Sequence, residues 1–334
     1  MSREAGSPSG QFPGFADCQV PGGVRLYSGK VRDIFEVGDD LLIVTSDRIS
    51  AFDRILGLVP NKGEVLTQFS AWWFDRVRDI TAHHMIARPT ARSMHVRRCR
   101  VLPVEVVVRG YLTGSAWRDY QAGRVVSGIA LPQGMRWNQQ FDQPLVTPST
   151  KADHGVHDRP ISTDEVVDLG LIEEPLWRQV QQTALALFER GRAICAAQGL
   201  ILVDTKYEFG LYNGRLTLVD EIHTPDSSRF WFAEHYREHF ESGRPQRKLD
   251  KEYLRQWLMD RGFQGDGEPP DIPTEVLAEV GRRYASAYEI ITGAKFVASG
   301  DNVEAARRKV LLYLTELQRA HTEGHDADQG EEDH

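Results

Sequence analysis

The chain has 334 residues, with 40 Lys+Arg against 48 Asp+Glu and a formal net charge of −8. That length suggests about two domains, and 41% hydrophobic with 26% charged residues is ordinary for a globular protein. The acidic balance speaks against a nucleic-acid binder, which needs a basic stripe, and against docking on anionic membranes; phosphorylated substrates would have to be held by local Arg and Lys clusters.

Cys18, Cys99 and Cys195 lie far apart with no CxxC. This fits a reducing cytosol and offers neither a disulfide framework nor a thiolate zinc site. No apolar run approaches the ~18 residues of a membrane span, and the first residues lack the apolar core of a signal peptide. The expected location is the cytoplasm.

In chain order, residues 1–16 read as a disordered lead-in. VRDIFEV and LLIVT flank Gly38-Asp39-Asp40, a hairpin signal. Residues 61–79 change to a helical period, with Val65, Leu66, Phe69, Trp72, Trp73 and Val77 on one face. VLPVEVVV (101–108) predicts a strand buried on both faces, because its apolar run is nearly continuous. Residues 132–160 are rich in Pro, Gly, Gln and Asp and read as a long functional loop.

Ser162 followed by Glu165 is a capping box. Residues 175–198 predict a long amphipathic helix, with Leu176, Val180, Leu187 and Ile194 near one stripe and Gly199 as its cap. Residues 200–203 and 216–219 predict strands around an Asn213-Gly214 turn. Beyond them the chain reads as mostly helical: 250–258, 274–292 and 302–319. Residues 321–334 hold six acids and no Lys or Arg, and they read as a disordered tail. Without that tail the net charge is −2.

Five constellations could carry chemistry. Ser28-Gly29-Lys30-Val31-Arg32-Asp33 reads either as a phosphate cradle or as a turn glycine on a solvated strand; no Walker A motif is present. Arg109-Gly110-Tyr111-Leu112-Thr113-Gly114-Ser115 follows the apolar strand. It offers a guanidinium fork, exposed amides and a hydroxyl to a phosphate monoester, or forms an ordinary strand-to-helix turn. Thr147-Pro148-Ser149-Thr150-Lys151-Ala152-Asp153, continuing to His157-Asp158, mixes a cation, acids and hydroxyls. His154 with His157, and His235 with His239, read as surface histidines rather than metal ligands.

The strongest constellation is Leu202-Val203-Asp204-Thr205-Lys206-Tyr207-Glu208-Phe209-Gly210 with Leu218-Val219-Asp220-Glu221. Asp204, Lys206 and Glu208 alternate onto one strand face. Such oxygen donors suit Mg²⁺ with nucleotide phosphates. An ideal hairpin opposes Glu208 to Val219 and turns Asp220 to the other face, so a bulge at Gly210 is expected to bring both carboxylates to one ion. Thr224-Pro225-Asp226-Ser227-Ser228-Arg229 reads by itself as a loop with a cap-like start.

Together these segments resemble SAICAR synthetase, the phosphoribosylaminoimidazole-succinocarboxamide synthase family, in a longer yeast-like form. The resemblance rests on YSGKVRDIF, VTSDRISAFD, NKGEVLTQFS, LPVEVVVRGYLTGSAW, TPSTKAD, LVDTKYEFG and VDEIHTPDSSRFW, in the family's order across residues 27–260. It implies an α+β fold with an ATP-grasp and kinase-like nucleotide site. A β-rich N-terminal lobe (17–106) would lie over an α+β lobe (107–270), followed by C-terminal helices (271–320). It also implies a reaction in which ATP, the carboxylate CAIR and L-aspartate give SAICAR, ADP and phosphate.

Carried over by position, Lys30 and Arg32 would hold ATP phosphates. Glu105, with backbone at Val101 and Leu102, would meet adenine. Arg109, Ser115, Lys151, Asp158 and Arg229 would hold CAIR. Asp204 and Lys206 would approach the reacting groups, and Glu208 and Asp220 would coordinate Mg²⁺. A monomer is expected, without nucleic-acid or membrane partners. The competing readings are a small-molecule kinase and a nucleotide-binding regulatory module.

Overall fold

The computed structural model describes residues 11–15, 24–52, 54–151, 159–249 and 251–329. Its first sheet comes from β1 (Arg25–Ser28), β2 (Arg32–Val37) and β3 (Asp40–Thr45). The expected hairpin forms: β2 and β3 pair with Val37 opposite Asp40, so the turn is Gly38-Asp39 and Asp40 already belongs to β3, while Gly38 takes φ +57°. A two-stranded ribbon of β4 (Arg48–Ala51) and β5 (Arg54–Leu58) leads into α1 (Lys62–Arg76). After the short β6 (Ala82–His83), β7 (Met85–Thr90) and β8 (Ser93–Arg97) complete the five-stranded order β1-β2-β3-β8-β7.

The second sheet begins at β9 (Arg100–Tyr111), followed by α2 (Gly114–Gln121), β10 (Gln140–Thr150), α3 (Thr163–Asp168) and α4 (Glu174–Ala197). β11 (Leu200–Tyr212) and β12 (Arg215–Val219) form the Asn-Gly hairpin, and β13 (Ser228–Phe232), α5 (Ala233–Glu241) and α6 (Glu252–Met259) follow. The chain closes with α7 (Thr274–Thr292) and α8 (Val303–Gln329). This sheet runs β10-β9-β11-β12-β6, and β13 pairs the first half of β11 along the edge whose second half β12 occupies. The architecture is α+β.

α4 packs Trp177, Val180, Ala184, Leu187, Phe188 and Cys195 beneath β9 and β11. Leu176 and Ile194 from the expected stripe lie at its half-buried margin. The Ser162–Glu165 capping box forms, with Glu165 N–H donating to Ser162 Oγ and Ser162 N–H to Glu165 Oε2.

Several expectations are corrected. β9 is not buried on both faces: Leu102, Val104, Val106 and Val108 enter the core, while Glu105, Val107 and Arg109 face outward, half-buried. Its nearly continuous apolar run therefore hides a two-sided strand. β9 also crosses the expected 106/107 boundary, because the switch between sheets falls at residues 98–99.

The middle of the expected 132–160 loop, Gln140–Thr150, is β10, an edge strand that tolerates Pro144 and Pro148 because one side of its ladder is open. β13 was not expected. Phe12 and Phe15, assigned to the lead-in, are buried against Phe35, and Phe12 N–H donates to Asp47. α8 continues to Gln329 through most of the expected tail.

The expected bulge is also absent where it was placed. β11 and β12 pair regularly through Gly210, with Glu208 opposite Val219 and Gly210 opposite Thr217. The irregularity lies on the other edge of β11, against β9, between Glu208 and Gly210. A Cβ at Gly210 would sit 2.9 Å from Cys99 Cβ and 3.1 Å from the Arg100 carbonyl, so this glycine admits the start of β9.

Candidate active site

Strand register builds the site. Alternation along β11 puts Asp204, Lys206 and Glu208 on one face. Across β9 they oppose Arg109, Val107 and Glu105. β10 sets Thr147 opposite Val107 and Ser149 opposite Glu105, while β13 sets Arg229 opposite Asp204. The outward face of β9 thus joins a charged floor spanning four strands.

Lys206 lies at its centre. Its Nζ donates to Glu105 Oε1 (2.8 Å) and Glu208 Oε1 (2.6 Å), and Lys151 Nζ donates to Glu208 Oε2 (2.5 Å). Burial works against the Lys206 ammonium, but Glu208 and Glu105 outweigh it and hold its pKa above the usual lysine range. Burial would likewise raise the Glu208 pKa, yet Lys206 and Lys151 keep it well below the usual carboxylate range.

The second half of the floor is an arginine fork. Arg229 Nη1 donates to Asp204 Oδ2 (2.6 Å), and Arg109 Nη1 lies 3.6 Å from the same oxygen. Arg109 also donates to Thr147 Oγ1 (2.9 Å) and Ser115 Oγ (3.3 Å). Gly114 is required here: its φ is +59°, and a Cβ would lie 2.6 Å from Arg229 Nη2. Arg109, Ser115, Asp204 and Arg229 open onto a cavity of about 300 Å³, shared with Lys206, Asp226, Lys251, Glu252 and Arg255.

The nucleotide-side residues are placed more loosely. Lys30 is exposed beside the β1–β2 turn. Arg32 bonds Asp220 and also donates to Glu221 Oε2 (2.6 Å), so it meets carboxylates rather than open space. Asp220 stands just past β12 with φ +66°, which ends the strand alternation there. The fully buried His84 feels both Arg32 and Glu208 electrostatically, and burial pushes its pKa down to about 3. β10 pairs β9 only as far as Val104, so Val101 and Leu102 lie beyond its last partner; Val101 is exposed and Leu102 buried. Asp158, with His154 and His157, falls outside the described residues.

Sequence reading passed over a second layer. Asp226 takes Lys62 Nζ at 2.8 Å, Lys251 Nζ at 3.5 Å and the Tyr284 hydroxyl at 2.6 Å. Burial opposes the Asp226 charge, but Lys251 and Lys62 hold its pKa far down. Glu252 takes Arg255 Nη1 at 2.6 Å and Arg229 Nη2 at 3.4 Å. Burial opposes its charge too, yet Arg229 and Arg255 bring its pKa down to about 2. The available signal was Lys62 in NKGE beside an otherwise apolar helix face.

Comparison with known proteins bears on this geometry. The family model described as SAICAR synthetase matches residues 25–270. A phosphoribosylaminoimidazole-succinocarboxamide synthase from Bacteroides thetaiotaomicron is 45% identical over 90% of this chain and 98% of its own. One from Legionella pneumophila is 46% identical over 82% of this chain and 89% of its own. Among solved structures, the Saccharomyces cerevisiae SAICAR synthase complexed with SAICAR is 34% identical with a TM-score of 0.72, covering 84% of this chain and 98% of that one. A type-2 SAICAR synthetase in complex with ADP is 27% identical with a TM-score of 0.63, covering 82% of this chain and all of that one. With the family match spanning the floor strands and both charged clusters, this chain belongs to the SAICAR synthetase family.

Proposed function

We propose that the charged floor of β9, β11 and β13 is where this chain, an ATP-dependent amide ligase of de novo purine biosynthesis, joins L-aspartate to the carboxylate of CAIR. The observation that carries this reading is Arg109, Arg229 and Ser115 meeting around Asp204, one residue pair along β11 from Lys206. A carboxylate is a poor acyl donor: its oxygen leaves badly and its charge repels a nucleophile. In this reading a CAIR carboxylate oxygen bonds to the γ-phosphorus of ATP as ADP leaves. The aspartate amine, as its free base, then bonds through nitrogen to the acyl carbon, phosphate leaves with the C–O electron pair, and the nitrogen gives up one proton to the departing phosphate.

The protein's task is to neutralise and position three anions. Arg109, Ser115 and Arg229 take the phosphoribosyl group, with Lys151 at the margin and Asp158 as the family pattern implies. Asp204 holds both guanidinium groups and is thereby engaged as an anion. Lys206 is the cation beside the reacting carboxylate. Lys30 and Arg32 face the ATP phosphates, with adenine at Val101, Leu102 and Glu105.

Mg²⁺ would neutralise phosphate oxygens, with Glu208 and Asp220 as its carboxylates. The donor chemistry fits, since both are hard oxygen groups already paired with cations. The absent bulge removes strand parity as the argument for that pair, which is left to the family resemblance. The chain is further proposed to act as a monomer in the cytoplasm; no helix among the described residues is long and apolar enough to cross a membrane.

A coupled assay that omits ATP, CAIR or aspartate in turn tests the reading. ADP release should require all three at steady state. Phosphate transfer to an alcohol without aspartate would favour a kinase, and ATP binding without turnover would favour a regulatory module.

A further inference from the structure

Away from the charged floor, a second cavity of about 530 Å³ opens between the end of α1, β6–β7 and the tip of the β11–β12 hairpin. Arg78, Arg97 and Arg215 line it, with His83, Tyr212, Met85 and Ile86. Three guanidinium groups around one cavity are notable in a chain of net charge −8. Like charges gathered this way repel unless a counter-anion joins them.

The protein supplies little of that counter-charge. Among the described residues, neither Arg97 nor Arg215 has a carboxylate within ion-pair distance. Arg78 has only Asp75, at 2.6 Å, and both side chains are exposed, which makes that pair weak. His83 Nδ1 is buried without a hydrogen-bond partner among the described residues, while its ring stacks on Phe74. Burial, followed by Arg78 and Arg97, pushes the His83 pKa down to about 4, so the ring is neutral near pH 7 and the cations close to it are the arginines. The Arg97 guanidinium stands 5.6 Å from the centre of the Tyr212 ring. Ile86 is 43% exposed beside them.

We infer that this cavity is a second anion site, separate from the catalytic floor, which takes a phosphorylated organic anion. The phosphate would meet Arg97, Arg215 and Arg78, and the organic part would rest on Tyr212, Met85 and Ile86. Guanidinium forks suit phosphate oxygens, and an aromatic and aliphatic wall suits a planar or apolar body. None of these side chains belongs to the catalytic machinery, so occupancy can be read apart from turnover.

The test is calorimetric titration of the full chain, and of its Arg97→Ala/Arg215→Ala variant, with inorganic pyrophosphate and with AMP. The Arg109→Ala variant serves as the control for the catalytic floor. Wild type should show a binding event that survives Arg109→Ala and weakens roughly tenfold for each arginine lost from the second cavity. Turnover at saturating substrates should be unchanged in Arg97→Ala/Arg215→Ala, which also reports correct folding. AMP binding more tightly than pyrophosphate would support the organic body on Tyr212. Pyrophosphate binding at that site with AMP excluded would overturn the organic-ligand assignment. Binding of neither probe, or binding indifferent to Arg97 and Arg215, would overturn the site itself.

Discussion

Arg109, on β9, ties together β10, β11 and the start of α2: it reaches Thr147, Asp204 and Ser115. A planar fork can hold these positions together, whereas an ammonium is one point charge. Arg109→Lys should therefore raise KM for CAIR by about tenfold or more, with KM for ATP nearly unchanged. Steady-state kinetics with each substrate varied would show this, and equal rises would remove Arg109 from the CAIR position. Lys206 poses a different case. Read as part of an exposed strand face, its removal should spare folding. In the fold it separates Glu105 from Glu208, so Lys206→Met should cost about 2 kcal/mol of stability, discounted for its partial exposure, besides lowering kcat by about a thousandfold. Urea denaturation beside single-turnover kinetics measures both, and full activity would refute its role. Asp204, Lys206 and Glu208 were legible because alternation along β11 displays them, and Arg109 because it opens the Arg109–Ser115 segment after the apolar strand. Asp226 was not, because its partners Lys62, Lys251 and Tyr284 come from three remote parts of the chain.

Elements with local signatures were easier to read than those defined by a neighbour. The Gly38-Asp39 and Asn213-Gly214 hairpins, the capping box and α7 carry their own turn or cap chemistry. β10 and β13 lack it: one contains two prolines, the other follows a polar loop, and each exists because an edge of the β9–β11 pair accepts it. Side chains of α1 and β11, with the backbone of α4, enclose a histidine, with a consequence for pH. His223 lies at zero exposure against Trp73 and Tyr207, a Cβ at Gly191 would come within 2.6 Å of its ring, and burial pushes its pKa down to about 3. Its folded pKa is below the unfolded value near 6.5, so between those values the unfolded chain binds the extra proton. Stability therefore falls as pH drops below about 6.5, by roughly 1.4 kcal/mol per unit for this group. His84, with its pKa down at about 3, acts in the same direction. Unfolding free energies at pH 7 and pH 5 should show the loss, and His223→Gln should flatten it. A slope identical in both proteins would exclude His223 as a source.

The C-terminal helix connects the two ends of the described chain. α8 buries Ala306, Val310 and Leu314 against Phe12, Phe15, Phe35, Val37, Leu42 and Val44, so one apolar layer is made from both ends and the first sheet. Polar contacts fix its register: Arg307 donates to the Gly14 carbonyl, and the Tyr313 hydroxyl lies 3.0 Å from His95 Nδ1. Sequence periodicity predicted this helix, but its packing face was hidden because Phe12 and Phe15 sit in a Gly- and Pro-rich stretch. Beyond residue 320 the remaining described ion pair, His321 to Asp40 at 3.7 Å, is partly exposed and worth little. Two truncations separate these contributions. A chain ending at residue 320 loses the acidic segment, moves from −8 toward −2, and should keep both kcat/KM and its urea midpoint. A chain ending at residue 301 uncovers the apolar face of the first sheet and should lose roughly 5 kcal/mol, from the burial of Val310 and Leu314 and of the phenylalanines they cover. Because Lys30 and Arg32 stand on that same sheet, its loosening should raise KM for ATP before it touches KM for CAIR. A 301-residue chain as stable as the parent would show that α8 lies on the sheet without supporting it.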